Sequence, residues 1–124
     1  MILVDTAIWV NHLHQRNEEL SALLDNDAIL IHPFVIGELA CGSLRHRRRV
    51  LTGLHEIPSI DMVSNRGVMD FIERNALFSV GIGWIDAHLL AATARTEGCQ
   101  LWTRDKRLQF QAERLNISHS CVYA

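Results

Sequence analysis

Short unbroken apolar runs alternate along this chain with longer segments in which apolar residues recur every three or four positions. An unbroken run is typical of a strand buried on both faces, and the wider spacing is typical of an amphipathic helix. The runs predict strands at 2–4, 28–32 and 99–103, and IPSIDMV at 57–63 predicts a further short strand.

Helices are predicted in the segments between these runs. Pro33 opens one of them, since proline is favoured in a first helical turn, and we expect the arginine-rich segment after it to continue as helix. The predicted helices cover 6–15, 18–24, 33–42, 45–54, 64–77, 84–98 and 105–115. Alternating strands and helices predict an α/β fold, in which a central parallel sheet carries helices on both faces.

Composition adds the class of protein to this picture. A chain of 124 residues with 48% hydrophobic and 21% charged residues is expected to form a single domain over 1–124. No apolar run is long enough for a signal peptide or a membrane span, so we expect a cytoplasmic protein without a membrane partner. Cys41, Cys99 and Cys121 fit neither a disulfide framework nor a zinc knuckle, and are expected to be reduced and mostly buried.

Four of the 14 acidic residues stand in apolar surroundings at informative places. Asp5 ends the first strand and Asp105 follows the last, and ligand sites of α/β sheets form beyond the carboxyl ends of strands. Glu38 shares a helical stripe with apolar neighbours, so it is expected to face inward. Asp86 lies in the first turn of its helix. Asp61 has a similar local context, so context alone does not select these four residues.

Each of these carboxylates also has a simpler interpretation. Asp5 and Asp105 are well placed to cap the helices that follow them, and Asp86 complements the positive end of its helix dipole. Glu38 is the hardest to explain in this way, because an inward carboxylate in mid-helix needs a partner.

A shared site for four carboxylates needs something to offset their repulsion. Like charges about 4 Å apart repel by several kcal/mol at an effective dielectric of about 20. Either some of the groups take up protons, or a divalent cation binds. Oxygen ligands without flanking His or Cys favour Mg²⁺ or Mn²⁺, which in such sites act mainly on phosphate esters.

Four segments together resemble a known family. In order and spacing, VDTAIWV, VIGELACG, GWIDAHLLAATA and LWTRDKRL are similar to the four acidic motifs of PIN-domain ribonucleases. They are most similar to the VapC-type toxins of prokaryotic toxin–antitoxin pairs, and the resemblance extends from residue 2 to about residue 115.

This resemblance implies a Rossmann-like sheet and a metal-dependent endoribonuclease. It makes Asp5, Glu38, Asp86 and Asp105 the metal-binding and catalytic carboxylates, with Thr6 and Thr103 in support. It further implies an RNA substrate, an antitoxin that covers the site, and a homodimer. Arg107 departs from the family pattern, which often has an acidic residue there, and this makes a second tightly held metal ion doubtful.

Several other features fit either a functional or a structural role. An arginine-rich run is either an RNA backbone contact or a solvated helical face; its members are Arg45, Arg47, Arg48 and Arg49. Without the four candidate ligands, the chain has 12 Lys and Arg against ten other acidic residues, which suits RNA approach. His88 either borders the site or packs on the sheet. The tryptophans are expected in the core.

Two rival functions remain from the sequence. A receiver-type signalling domain also holds Mg²⁺ in an acidic pocket, but it needs two adjacent acids after its first strand, where this chain has only Asp5. The other rival is a PIN-like module that binds without catalysis, and the intact set of four acids argues against it.

Overall fold

The computed structural model describes residues 1–120, so Cys121 lies outside the described part. In chain order the elements are β1 (Ile2–Val4), α1 (Thr6–His14), α2 (Glu18–Asp25), β2 (Ile29–Leu30), α3 (Pro33–Cys41), α4 (Arg47–Glu56), α5 (Asn65–Arg74), α6 (Trp84–Arg95), β3 (Gln100–Trp102) and α7 (Lys106–Arg114).

The strands form a parallel sheet in the order β2-β1-β3. Leu3 pairs with Leu30 on one side and with Leu101 on the other, which fixes the register of the central strand. Leu3, Val4 and Leu101 have no exposed surface, as expected for a sheet with helices on both faces. The prediction of a Rossmann-like α/β fold is confirmed.

The segment at 57–63 departs from the predicted strand. It contributes a single parallel bridge, between Ser59 and Ile31, made by two backbone hydrogen bonds. Pro58 has no N–H to donate, and Met62 is exposed, so pairing does not extend in either direction.

The helix expected to continue through the arginine-rich run is in fact two helices. α3 ends where the N–H of Gly42 donates to the carbonyl of Leu39, and α4 begins after His46, which has a left-handed φ of 53°. The break turns the arginines of α4 away from the line of α3.

α6 is the most buried helix, with an unbroken buried run from Ala87 to Thr93. Such a helix lies between two layers, because an apolar stripe on one face is enough for a helix at the surface. Ala87 and Ala91 pack with Val63 and Val68, and their small side chains let α5 approach closely. The first turn of α6 projects from this core toward the carboxyl edge of the sheet.

None of the helices within residues 1–120 combines the length and the apolar composition that crossing a membrane requires. Cys99 is buried as expected, but Cys41 is exposed, because it lies on the outer face of α3. The prediction that the thiols are mostly buried is therefore wrong for Cys41.

Candidate functional site

Asp5 lies at the carboxyl edge of the sheet, held by residues from both ends of the chain. Its Oδ1 accepts a hydrogen bond from the N–H of Thr6 at 2.7 Å, so the side chain caps α1. Its Oδ2 accepts from the hydroxyl of Thr103 at 2.7 Å. Capping and membership of a wider site are thus compatible, because each role uses a different oxygen.

Asp105 lies just beyond the end of β3, the strand that pairs with β1. The pairing of Val4 with Trp102 brings the ends of β1 and β3 together. The buried Thr103 then links the two acids, since its hydroxyl also accepts from the N–H of Asp105 at 3.1 Å. Asp105 caps α7 through Oδ1, which accepts from the N–H groups of Arg107 and Leu108.

Glu38 reaches the site from α3 in a way that the sequence did not predict. Its Oε1 accepts from the hydroxyl of Thr6 at 2.7 Å, but the side chain is exposed, so the expectation that it faces inward is wrong. Val35 and Leu39 occupy the inward positions of α3. The predicted stripe exists, but Phe34, Glu38 and Cys41 line an open groove instead of the core.

Asp86 completes the set from the first turn of α6. Its Oδ2 accepts from the N–H of Gly83 at 3.1 Å, which closes the turn before the helix. Burial raises the pKa of this carboxyl, and the charges of Asp5, Asp105 and Glu38 raise its pKa further. The other three acids, from separate segments, therefore each lie close enough to Asp86 for their charges to act on it.

Among the described residues, no basic side chain forms an ion pair with any of these acids. Within residues 1–120, the ion pairs are Arg16 with Glu18 and His119 with Glu19, both away from the four acids. No three acidic, His or Cys side chains of the described part stand close enough to enclose a metal ion as they are. The donor set fits a hard divalent cation, since it is made of carboxylate oxygens without His or Cys, but closing around one needs side-chain movement.

Arg107 packs across the loop that leads to Asp86. A Cβ on Gly81 would lie 2.6 Å from its Cδ, so the guanidinium stem occupies the space that any larger residue would need. Gly81 also has a φ of 82°, which glycine adopts without strain. Arg107, the residue that departs from the family pattern, therefore stands beside the acids, and no ion pair of the described residues joins it to them.

Two open grooves meet at Glu38. One, of about 300 Å³, lies between α1, α3 and α4 and includes His14, Glu38 and Arg45 in its lining. The other, of about 580 Å³, lies between α3 and α6 and includes Phe34, Trp84 and Ile85. Glu38 is thus the ridge between the two grooves.

The arginine-rich run is exposed, and Arg45 is the member of it that lines the first groove. Arg47 donates to the carbonyl of Ala40 at 2.7 Å, which ties the start of α4 to the end of α3. No carboxylate within residues 1–120 pairs with Arg45, Arg48 or Arg49, so their guanidinium groups face solvent.

Trp84 is the functional candidate that sequence reasoning missed. Trp9 and Trp102 are in the core as expected, but Trp84 is 42% exposed. The sequence around it gave no signal of this exposure, since the neighbourhood of Trp84 is apolar. His88 is fully buried, and its ring packs against Phe34 and Trp84, which line the groove beside Glu38.

Comparisons with known proteins agree with this arrangement. The family model described as "PIN domain" matches residues 2–113. The chain is 42% identical over 109 residues to "Ribonuclease VapC32" of Mycobacterium tuberculosis strain CDC 1551 / Oshkosh, and the match covers 88% of each chain. The same values hold for "Ribonuclease VapC32" of strain ATCC 25618 / H37Rv.

Proposed function

The chain belongs to the PIN-domain family, and on that premise we propose that it is a divalent-metal-dependent endoribonuclease and the toxin of a type II toxin–antitoxin pair. The family and the named ribonuclease relatives support the nuclease activity. The dependence on Mg²⁺ or Mn²⁺ and the roles of individual residues are argued from the site itself.

One observation carries the proposal: the pKa of Asp86 is raised by burial and by the charges of three other acids, with no basic side chain of residues 1–120 paired to any of them. Such an arrangement opposes folding unless a cation binds, so a role in function explains it better than a structural role. Asp5, Glu38, Asp86 and Asp105 are the residues that would hold the ion.

The bound ion would activate a water molecule and neutralise charge on the scissile phosphate. The protein's own contribution is to position the carboxylates. Thr6 anchors two of them, since its N–H binds Asp5 and its hydroxyl binds Glu38. Thr103 holds the second oxygen of Asp5 and the backbone of Asp105. Both threonines are thus positioning residues.

The reaction is hydrolysis of an RNA phosphodiester, which by family analogy yields a 5′-phosphate and a 3′-hydroxyl. A protein nucleophile is not required. The exposed Arg45, Arg48 and Arg49 would contact phosphates of the RNA backbone, whereas Arg47 is committed to the carbonyl of Ala40.

The partners follow from the same assignment. They are an antitoxin protein that covers the site and a second copy of this chain in a homodimer. The whole chain, 1–124, would act as one domain, in the cytoplasm where its RNA substrate is found.

Cleavage of RNA tests the proposal. Purified protein should cut a structured RNA with Mg²⁺ or Mn²⁺, and chelator should abolish cleavage. Asp5→Asn and Asp86→Asn should each remove the activity, because an amide holds a divalent cation poorly. Asp61→Asn is the matched control, since Asp61 has similar sequence context but is exposed and outside the site.

Two outcomes would reject the assignment. Cleavage that survives chelator and both substitutions would mean that the four acids are not the catalytic site. Binding of RNA without cleavage in the presence of either Mg²⁺ or Mn²⁺ would favour the rival function, a PIN-like module that binds without catalysis. The family match over residues 2–113 already sets aside the receiver-type interpretation.

A further inference from the structure

We propose that the groove between α3 and α6 binds one unpaired base of the RNA next to the cut, with Trp84 as the platform on which that base stacks. The inference rests on the nuclease function proposed above and adds to it a residue, Trp84, that holds a base at a fixed position beside the cut.

Exposure of Trp84 is the first step. The side chain is 42% exposed, whereas Trp9 and Trp102 are 2% and 5% exposed. A large ring left in water forgoes much of the stabilisation that burial would provide. Sequence-specific and sequence-tolerant RNA binding both use such rings, since every unpaired base has an aromatic face to stack.

The ring of Trp84 is also held in one orientation. It meets His88 edge to face, with centroids 4.6 Å apart and planes at 87°. Phe34 meets the same histidine at 4.7 Å. Because His88 is fully buried, both aromatic rings rest on a fixed support, so a stacking base would order little of the protein on binding.

The groove adjoins the acidic site. Glu38, one of the four acids, is part of its lining. If the scissile phosphate lies at the carboxylates, a neighbouring base of a strand that passes Glu38 would enter this groove. A volume of about 580 Å³ leaves ample room for one base.

Charge favours a base over a phosphate in this groove. Its lining is largely apolar and aromatic, formed by Pro33, Phe34, Gly37, Cys41, Trp84 and Ile85, with Glu38 as its acidic edge. The groove on the other side of Glu38 is also lined mainly by apolar residues, but it includes Arg45, whose guanidinium would meet a phosphate of the same strand. A single strand crossing the ridge at Glu38 would thus meet Arg45 on one side and a stacking surface on the other.

Cleavage of a short single-stranded oligoribonucleotide with a mapped cut tests this pocket. Trp84→Ala should raise KM roughly 5- to 150-fold, the ratio that corresponds to ~1–3 kcal/mol of base stacking. kcat should change little, because the base is held equally in the bound substrate and in the transition state. Trp84→Phe keeps an aromatic face and should retain most of the affinity. Phe110→Ala is the matched control, since Phe110 is 62% exposed and lines neither groove.

Substrates with an abasic residue locate the base. In the unchanged protein, an abasic residue at one position flanking the cut should reproduce the loss caused by Trp84→Ala. In Trp84→Ala the same abasic substrate should lose nothing more. Equal abasic effects in both proteins, or an unchanged KM in Trp84→Ala, would overturn the proposal. So would a change of oligomeric mass or of antitoxin binding in Trp84→Ala without an effect on RNA, which would assign the groove to a protein partner.

Fluorescence keeps this test separate from the test of the nuclease function. Trp84 is the tryptophan that acrylamide should quench, since Trp9 and Trp102 are buried. In Asp5→Asn protein, a short single-stranded oligoribonucleotide should protect Trp84 from quenching. Protection without cleavage by any protein would uphold the pocket and reject the nuclease, whereas cleavage without protection would reject the pocket alone.

Discussion

The hydroxyl of Thr103 donates to Oδ2 of Asp5 at 2.7 Å, although the two residues are 98 positions apart in the chain. The same oxygen of Thr103 accepts from the N–H of Asp105 at 3.1 Å. One buried hydroxyl thus sets the relative positions of the acids that follow the two paired strands.

Thr103→Val should therefore impair both stability and cleavage. Valine keeps the shape but leaves Oδ2 of Asp5 and the N–H of Asp105 without this partner. We expect a loss of roughly 1.5–3 kcal/mol in the free energy of unfolding, the range for a hydrogen bond to a charged group, measured by urea denaturation. Thr103→Ser keeps the hydroxyl and should retain most of the stability and activity. Equal losses in both variants would show that the methyl group matters and the hydroxyl does not.

Asp86→Asn should stabilise the protein in the presence of chelator at neutral pH. The folded-state pKa of Asp86 is raised, chiefly by burial, so its contribution to stability is present below its unfolded pKa and is lost as pH rises through the folded value. Asparagine carries no charge and can still accept from the N–H of Gly83. Melting curves in chelator should show the variant melting above the parent at pH 7, with the difference disappearing in acid.

In the presence of Mg²⁺, the parent should melt above Asp86→Asn. A ligand that binds only the folded state stabilises it by an amount that grows with the logarithm of its affinity, and Asp86→Asn should lose most of this effect. Asp61→Asn should follow the parent in both conditions. A variant that gains as much from Mg²⁺ as the parent would place the metal elsewhere.

The parts of this fold that could be predicted from the sequence are those set by local pattern. The unbroken runs around Leu3 and Leu101 identified the paired strands, and the acids directly after them identified the edge where a site forms. Local pattern was not sufficient to place Glu38 and Asp86, the two acids that lie on helices. Periodicity placed Glu38 on a stripe with Phe34 and Cys41 but could not tell which stripe of α3 meets the core, since Val35 and Leu39 form an equally good one.

The exposure of Trp84 could not be predicted from local pattern either. An apolar neighbourhood favours burial, yet the first turn of α6 extends beyond the layer that covers the rest of the helix. Which turn of a helix lies under its neighbours is decided by tertiary packing, here the approach of α5 to Ala87 and Ala91. The local sequence does not show how far along α6 this covering by α5 extends.

Acid should destabilise the protein through His32. This fully buried side chain caps α3 by accepting from the N–H of Phe34 at Nδ1, and burial, with the charge of His88, lowers its pKa to about 4. Because the folded pKa is below the unfolded value of 6.5, its stabilising contribution is complete above pH 6.5 and is lost as pH falls through about 4. A shift of this size corresponds to about 3 kcal/mol.

His32→Asn separates this effect from the cap. Asparagine supplies a capping oxygen for α3 but does not titrate in this range. Urea denaturation from pH 7 to pH 4 should show a steeper loss of stability in the parent than in the variant. Parallel curves would mean that other groups, such as His88, account for the acid sensitivity.

Gly81→Ala tests the contact between Arg107 and the loop that leads to Asp86. Gly81 and Gly98 have similar left-handed φ values, 82° and 71°, so alanine at either position should cost about 1–2 kcal/mol of strain. A Cβ at Gly98 has nothing within 4 Å, whereas at Gly81 it would lie 2.6 Å from Cδ of Arg107. Because Arg107 is exposed and its side chain is flexible, it should swing aside at little cost, so the two alanine substitutions should have similar effects on thermal unfolding. Gly81→Ala alone should slow cleavage, since it moves the guanidinium away from this loop. Equal rates of cleavage in the two variants, or a much larger loss of stability in Gly81→Ala, would mean that the arginine side chain does not act at this loop in the way described.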